Sequence, residues 1–168
     1  MTIPIPKAQE QLSRNEEKWT PTLMSAGWTA LPSVIIERQQ AIGLDPLDIN
    51  IILILANYWW YAERLPYPTK KSIAETMGVN PATVQRRIAA LEQGGLIKRI
   101  PKFHPQHGQT GNEYDLRGLI EAVKPYAEEK IRVMKERKAE DAARRKRKRP
   151  LSIASKAPHL EVLGGQSE

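Results

Sequence analysis

The chain has no cysteine, which removes disulfide staples and thiolate metal sites together. Histidine is scarce: His104 and His107 share one loop, His159 stands far from both, and no carboxylate lies at metal-ligand spacing beside the pair. No glycine-rich phosphate cradle with a lysine occurs, which argues against an ATP-driven machine. Long apolar runs are missing too. IILILANYWWYA at 51–62 is shorter than a bilayer crossing requires, and the first 19 residues hold no export-signal core. These absences predict a cytoplasmic protein that is not an enzyme, takes no cofactor or metal and has no membrane contact.

What is present is positive charge, unevenly placed. Of the 168 residues, 1–62 carry four Lys/Arg against six Asp/Glu, 63–117 carry nine against five, and 127–149 carry eleven against five. The length supports one core of about a hundred residues with tails. The charge asymmetry is what a protein meeting a polyanion on one side requires.

The most informative stretch, residues 68–99, spells two short helices and then a strand. Ser72, Ile73, Ala74 and Met77 form one amphipathic helix, which Gly78 ends by accepting positive φ, while Val79 plugs the angle to the next helix. Asn80 then caps the next helix and Pro81 takes its first position. Val84, Ile88 and Leu91 make the apolar stripe of this second helix, leaving Ala82, Gln85, Arg86 and Ala89 on the other face, with Arg87 beside the stripe. Ala82 and Thr83 are small enough to let a backbone lie against a groove floor, and Gln85 and Arg86 make paired hydrogen bonds to adenine and guanine edges. The bland alternative is a helical hairpin with a solvated polar face. Gly94-Gly95 ends the helix, 96–100 reads as a strand, 112–116 reads as its partner, and PKFHPQHGQTG between them reads as a long polar loop.

From Leu65 to Leu116, with Ile73-Ala74, Met77-Gly78, Thr83-Val84, Gly95-Leu96-Ile97 and Asn112-Glu113-Tyr114-Asp115-Leu116, the chain resembles the winged helix-turn-helix domains of MarR-type and GntR-type regulators, and still more those of phage and plasmid replication proteins. The resemblance implies a mainly α fold with a small β-hairpin, N-terminal helices and a long basic C-terminal helix. It puts Thr83, Gln85 and Arg86 on a recognition helix, Lys70 and Lys71 on the phosphate-contacting helix before it, and Lys102 through Gln109 on a wing. The expected double-stranded DNA surface is Thr69, Lys70, Lys71, Asn80, Ala82, Thr83, Gln85, Arg86, Arg87, Lys98, Arg99, Lys102, His104, His107 and Gln109, with Arg144, Arg145, Lys146, Arg147, Lys148 and Arg149 adding phosphate affinity. The functional expectation is a nucleoid-associated transcriptional regulator of a bacterial chromosome, phage or plasmid. The alternatives are a replication initiator or accessory DNA-binding protein, and a winged-helix protein adapter. No effector-sized domain follows the wing, unlike in GntR regulators.

The expected organisation is a flexible start at 1–18, a winged helix-turn-helix domain with its helical extension at 19–126, a basic helix at 127–149 and a disordered tail at 150–168 that includes HLEVL. Helices are expected near 31–41 and at 46–62, the latter started by Asp45-Pro46 and apolar on nearly all sides, so that Trp59, Trp60 and Tyr61 serve as core anchors or as a subunit contact. Pro125 is expected to kink or restart the last helix. A homodimer is expected, with a replication or transcription protein as a further partner of the C-terminal helix.

Overall fold

The computed structural model describes residues 8–106 and 108–146. Its elements run α1 (Ala8–Trp19), α2 (Pro21–Ala26), α3 (Ser33–Glu37), α4 (Pro46–Asn57), α5 (Lys70–Met77), α6 (Pro81–Gln93), β1 (Lys98–His104), β2 (Gly108–Asp115) and α7 (Arg117–Lys146). The fold is mainly α with one antiparallel hairpin and a long C-terminal helix. No described helix is long and apolar enough to cross a membrane.

The helix starts follow the local chemistry. At α4 the Asp45 carboxylate accepts the Asp48 N–H at 3.0 Å and the Asp48 carboxylate accepts the Asp45 N–H at 3.1 Å, a reciprocal cap with Pro46 at the first helical position. Thr69 caps α5 through the Ser72 N–H at 3.1 Å, and Asn80 caps α6 through the Ala82 N–H at 2.8 Å. Gly78 leaves α5 in the left-handed region, at φ 66°.

These caps orient three helices around one core. Ile51, Ile52 and Leu55 of α4, Ile73 and Ala74 of α5, and Val84, Ile88 and Leu91 of α6 are buried together. Ile97, Tyr114 and Leu116 close it from the hairpin side, Leu119 and Val123 from α7, and Val34 and Ile35 from α3. The Tyr114 N–H donates to the Pro66 carbonyl at 2.9 Å, so the segment before α5 lies along β2.

Several expectations are corrected. The described part of the start, residues 8–19, is helical and lies against α2. The helix expected near 31–41 stops at Glu37, because turns through Gly43 carry Leu44 into the core. The helix at 46–62 stops at Asn57: the Trp59 N–H reaches back only to Ala56, and Tyr61 and Arg64 pair across a turn that brings Pro66 to β2. Trp59 packs on the core, whereas Trp60 and Tyr61 are exposed. The expected loop is instead a paired hairpin, with Lys98 opposite Asp115, His104 opposite Gly108, and an irregularity between Lys102 and Phe103.

Pro125 sits inside α7 without restarting it, since Val123, Tyr126 and Ala127 pack on the core to either side and offset the lost hydrogen bond. The expected boundary at 126/127 therefore falls within a continuous helix. Val133 and Met134 are half-buried, and every residue from Lys135 to Lys146 is exposed. The tail at 150–168 lies outside the described residues.

Candidate nucleic-acid interface

Burial of Val84, Ile88 and Leu91 fixes which way α6 faces. Ala82, Gln85, Arg86 and Ala89 are exposed and Thr83 is half-buried at the rim. Lys70, in the first turn of α5, donates from Nζ to Gln85 Oε1 at 3.0 Å, so the lysine of one helix and the amide of the next share one surface. Lys71 is exposed and lies 3.8 Å from Glu75. Thr69 and Asn80 use their side-chain oxygens as caps.

Arg86 and Arg87 are adjacent but occupy different environments. Among the described residues Arg86 has no ion-pair partner. Arg87 turns to the start of α4, where its Nε lies 3.0 Å and its Nη2 2.5 Å from the oxygens of Asp48, and where it also pairs with Asp45. Asp48 is buried. Hydrogen bonding to Asp48 raises the Arg87 pKa above its ordinary value, so the guanidinium stays charged. The structure thus gives Arg87 a stabilising partner inside the protein, binding α6 to α4.

Arg99 is likewise engaged. Its Nε lies 2.7 Å from Glu92 and its backbone N–H donates to the same carboxylate at 3.0 Å, which holds the Glu92 pKa below the ordinary carboxylate value. Asp115 is held low in the same way by Arg117, whose backbone N–H and Nε both donate to it. Lys98 is exposed. Burial pushes the Tyr114 hydroxyl up.

On the wing, Lys102 Nζ sits 4.1 Å from the centre of the Tyr67 ring and 3.5 Å from Glu113. His104 and Gln109 occupy positions on β1 and β2. His107 lies outside the described residues. Arg144, Arg145 and Lys146 form the exposed last turn of α7, while Arg147, Lys148 and Arg149 lie outside the described residues. No group of three or more His, Asp or Glu among the described residues is placed to hold a metal.

Two aromatic neighbours of Lys102 stand outside the surface expected from the sequence. Phe103 is 70% exposed on β1 beside Lys102, and Tyr67 lies beneath Lys102. An aromatic residue in an otherwise polar hairpin was the available signal for Phe103. Tyr67 carries no local signal, because its lysine is distant in sequence.

Residues 43–97 match a family model described as a helix-turn-helix domain. No curated protein matches the chain in sequence. Among solved structures, the N-terminal domain of DnaD protein from Geobacillus kaustophilus is similar at 20% identity and TM-score 0.49, over 73% of this chain and 96% of that one. A possible transcriptional regulator from Methanosarcina mazei is similar at 18% identity and TM-score 0.38, over 62% and 85%. The multiple antibiotic-resistance repressor MarR from Listeria monocytogenes is similar at 12% identity and TM-score 0.36, over 84% and 92%. Likenesses of this degree carry no functional inference. The match at 43–97 covers α4, α5 and α6, and β1 and β2 extend from them as a hairpin, so the chain has a winged helix-turn-helix fold.

Proposed function

We propose that the chain binds double-stranded DNA with sequence specificity, as a transcriptional regulator that lays α6 in the major groove. The observation that carries this reading is the shared surface of α5 and α6, where Lys70 meets Gln85 and Arg86 stands exposed beside them. A phosphate-contacting cation and two side chains suited to base edges face the same side. Lys71 and the caps at Thr69 and Asn80 border this surface, Lys98 and Lys102 extend it to the wing, and Arg144 to Lys146 add a sequence-independent phosphate contact. In this role the protein does no chemistry on its target and needs no cofactor.

Selection of fragments from a random duplex pool by the purified protein tests the proposal. An enriched motif is the expected outcome, and Gln85→Ala and Arg86→Ala should each weaken that motif by about 1 to 3 kcal/mol while changing random duplex little. Equal losses on both would make these side chains phosphate contacts, and no enrichment would refute specific reading. We further propose a homodimer, because Ile120 and Ile131 are exposed along α7 and Leu53 along α4. A monomer by light scattering, free and with DNA, would refute it.

A second reading, a replication initiator or accessory factor, is favoured by the end of α7. Its twelve residues from Lys135 to Lys146 are all exposed, which suits a recruiting surface as well as a phosphate contact.

A further inference from the structure

Between α4 and α5 the chain displays aromatic side chains that the core does not use. Trp60 is 71% exposed, Tyr67 62%, Tyr61 59% and Tyr58 46%, and together with Arg64 they border one open cleft of about 320 Å³. Contiguous exposed rings of this size mark an interaction site. The segment that bears them is tied down. The Trp59 N–H donates to Ala56 at 3.0 Å, the Arg64 N–H donates to Tyr61 at 3.0 Å, and Pro66 and Pro68 are buried. Rings on a fixed backbone lose little freedom when they bind.

Two cations lie against these rings. The Arg64 guanidinium lies 5.4 Å from the centre of the Tyr61 ring, and Lys102 reaches from the wing to Tyr67. The nearby carboxylates are Glu113, against Lys102, and Glu63, exposed next to Arg64 in the chain. A protein-binding patch is depleted of charge at its centre. Rings interleaved with cations instead suit a strand whose bases stack while its phosphates are neutralised.

We propose that this cleft binds unpaired bases of single-stranded DNA, with Trp60, Tyr61 and Tyr67 as stacking surfaces and Arg64 and Lys102 against the phosphates. Tyr67 stands two residues before the Thr69 cap of α5, so the platform adjoins the surface assigned above to duplex DNA. The inference goes beyond that assignment and stands without it.

Anisotropy of a labelled oligo(dT) strand titrated with the full chain provides the test, beside an abasic strand with the same number of phosphates. Oligo(dT) should bind about tenfold or more tightly than the abasic strand, and Trp60→Ala and Tyr67→Ala should each weaken it by about fivefold or more. Both side chains are exposed, so the melting temperatures of these variants should match the wild type, as should the duplex affinity of Trp60→Ala. Equal binding of the two strands, or wild-type affinity in both variants, would overturn the proposal. Tighter binding to oligo(U) would assign the cleft to RNA, and loss of self-association in these variants without strand binding would assign it to a second copy of the chain; either overturns it. The duplex assignment fails separately: absence of an enriched duplex motif would remove that role while oligo(dT) binding upheld this one.

Discussion

Cutting Arg87 back to alanine strips Asp48 of its cation, and the structure sets the scale of the loss. The Asp48 side chain is 4% exposed, and the guanidinium places Nε and Nη2 at 3.0 and 2.5 Å from its two oxygens. Removing one partner of a fully buried pair costs about 3 to 5 kcal/mol. Here the arginine is 27% exposed and Asp48 keeps the bond from the Asp45 N–H, which places the loss lower, at about 2 to 3 kcal/mol. For a chain of this size each kcal/mol shifts the melting midpoint by roughly 2 to 4 °C, so Arg87→Ala should melt roughly 4 to 12 °C below wild type. Arg87→Lys keeps the charge but not the two-pronged geometry and should fall between. Arg86→Ala is the control. Its side chain is exposed, so its stability should change by less than about 0.5 kcal/mol while specific duplex binding weakens. Thermal denaturation followed by circular dichroism, paired with duplex binding well below the transition, separates the two. An Arg87→Ala protein that melts with the wild type but loses sequence preference would refute the structural role given to Arg87 and make it a base contact.

Gly118→Ala places a methyl group 1.9 Å from the Gly95 carbonyl oxygen and 3.0 Å from its carbon, both backbone atoms. The displacement should outweigh the gain of about 1 kcal/mol in helix propensity and leave a net loss of about 2 to 3 kcal/mol in urea unfolding; no loss would mean that the start of α7 shifts freely. Because Arg117 and Arg99 lower the pKa values of Asp115 and Glu92 in the folded chain, the unfolded chain takes up more protons in acid. Their stabilisation is therefore complete near neutrality and is lost as pH falls from about 5 towards 2; Asp115→Asn should flatten that decline in pH-dependent denaturation, and an unchanged slope would count against the pairing. Deleting residues 144–168 should leave sequence preference intact and make the slope of log K against log salt shallower, by about 0.9 for each phosphate that the shortened chain no longer neutralises; salt dependence identical to the full chain would remove this segment from the interface.

The helix-turn-helix was legible because its signals are local. The cap at Asn80, proline at 81, glycine at 78 and the stripe of Val84, Ile88 and Leu91 lie within a few residues of the features they create. The hairpin strands were legible, but their length was not. Pro101, Pro105 and the glycines read as loop, whereas pairing from Lys98–Asp115 out to His104–Gly108 carries the ladder nearly to the tip. The end of α4 was hidden because the apolar run continues past Asn57, and what stops the helix is a turn that delivers Pro66 to Tyr114, a contact across 48 positions of sequence. Within the candidate site, the exposed placement of Gln85 and Arg86 followed from helical periodicity. The partners of Arg87 and Lys102 did not, since Asp48 and Tyr67 are brought to them only by the tertiary fold.

The close approach of Gly118 to Gly95 gives the wing a handle. α7 follows β2 directly, and in its first turn the Leu119 N–H donates at 2.7 Å to the carbonyl of Leu96, just ahead of β1. The hairpin is thereby gripped at both its feet by one helix of 30 residues, about 45 Å long at the α-helical rise. Both feet of the hairpin are thus held by one turn of α7, so a displacement of that turn would carry β1 and β2 together relative to α6.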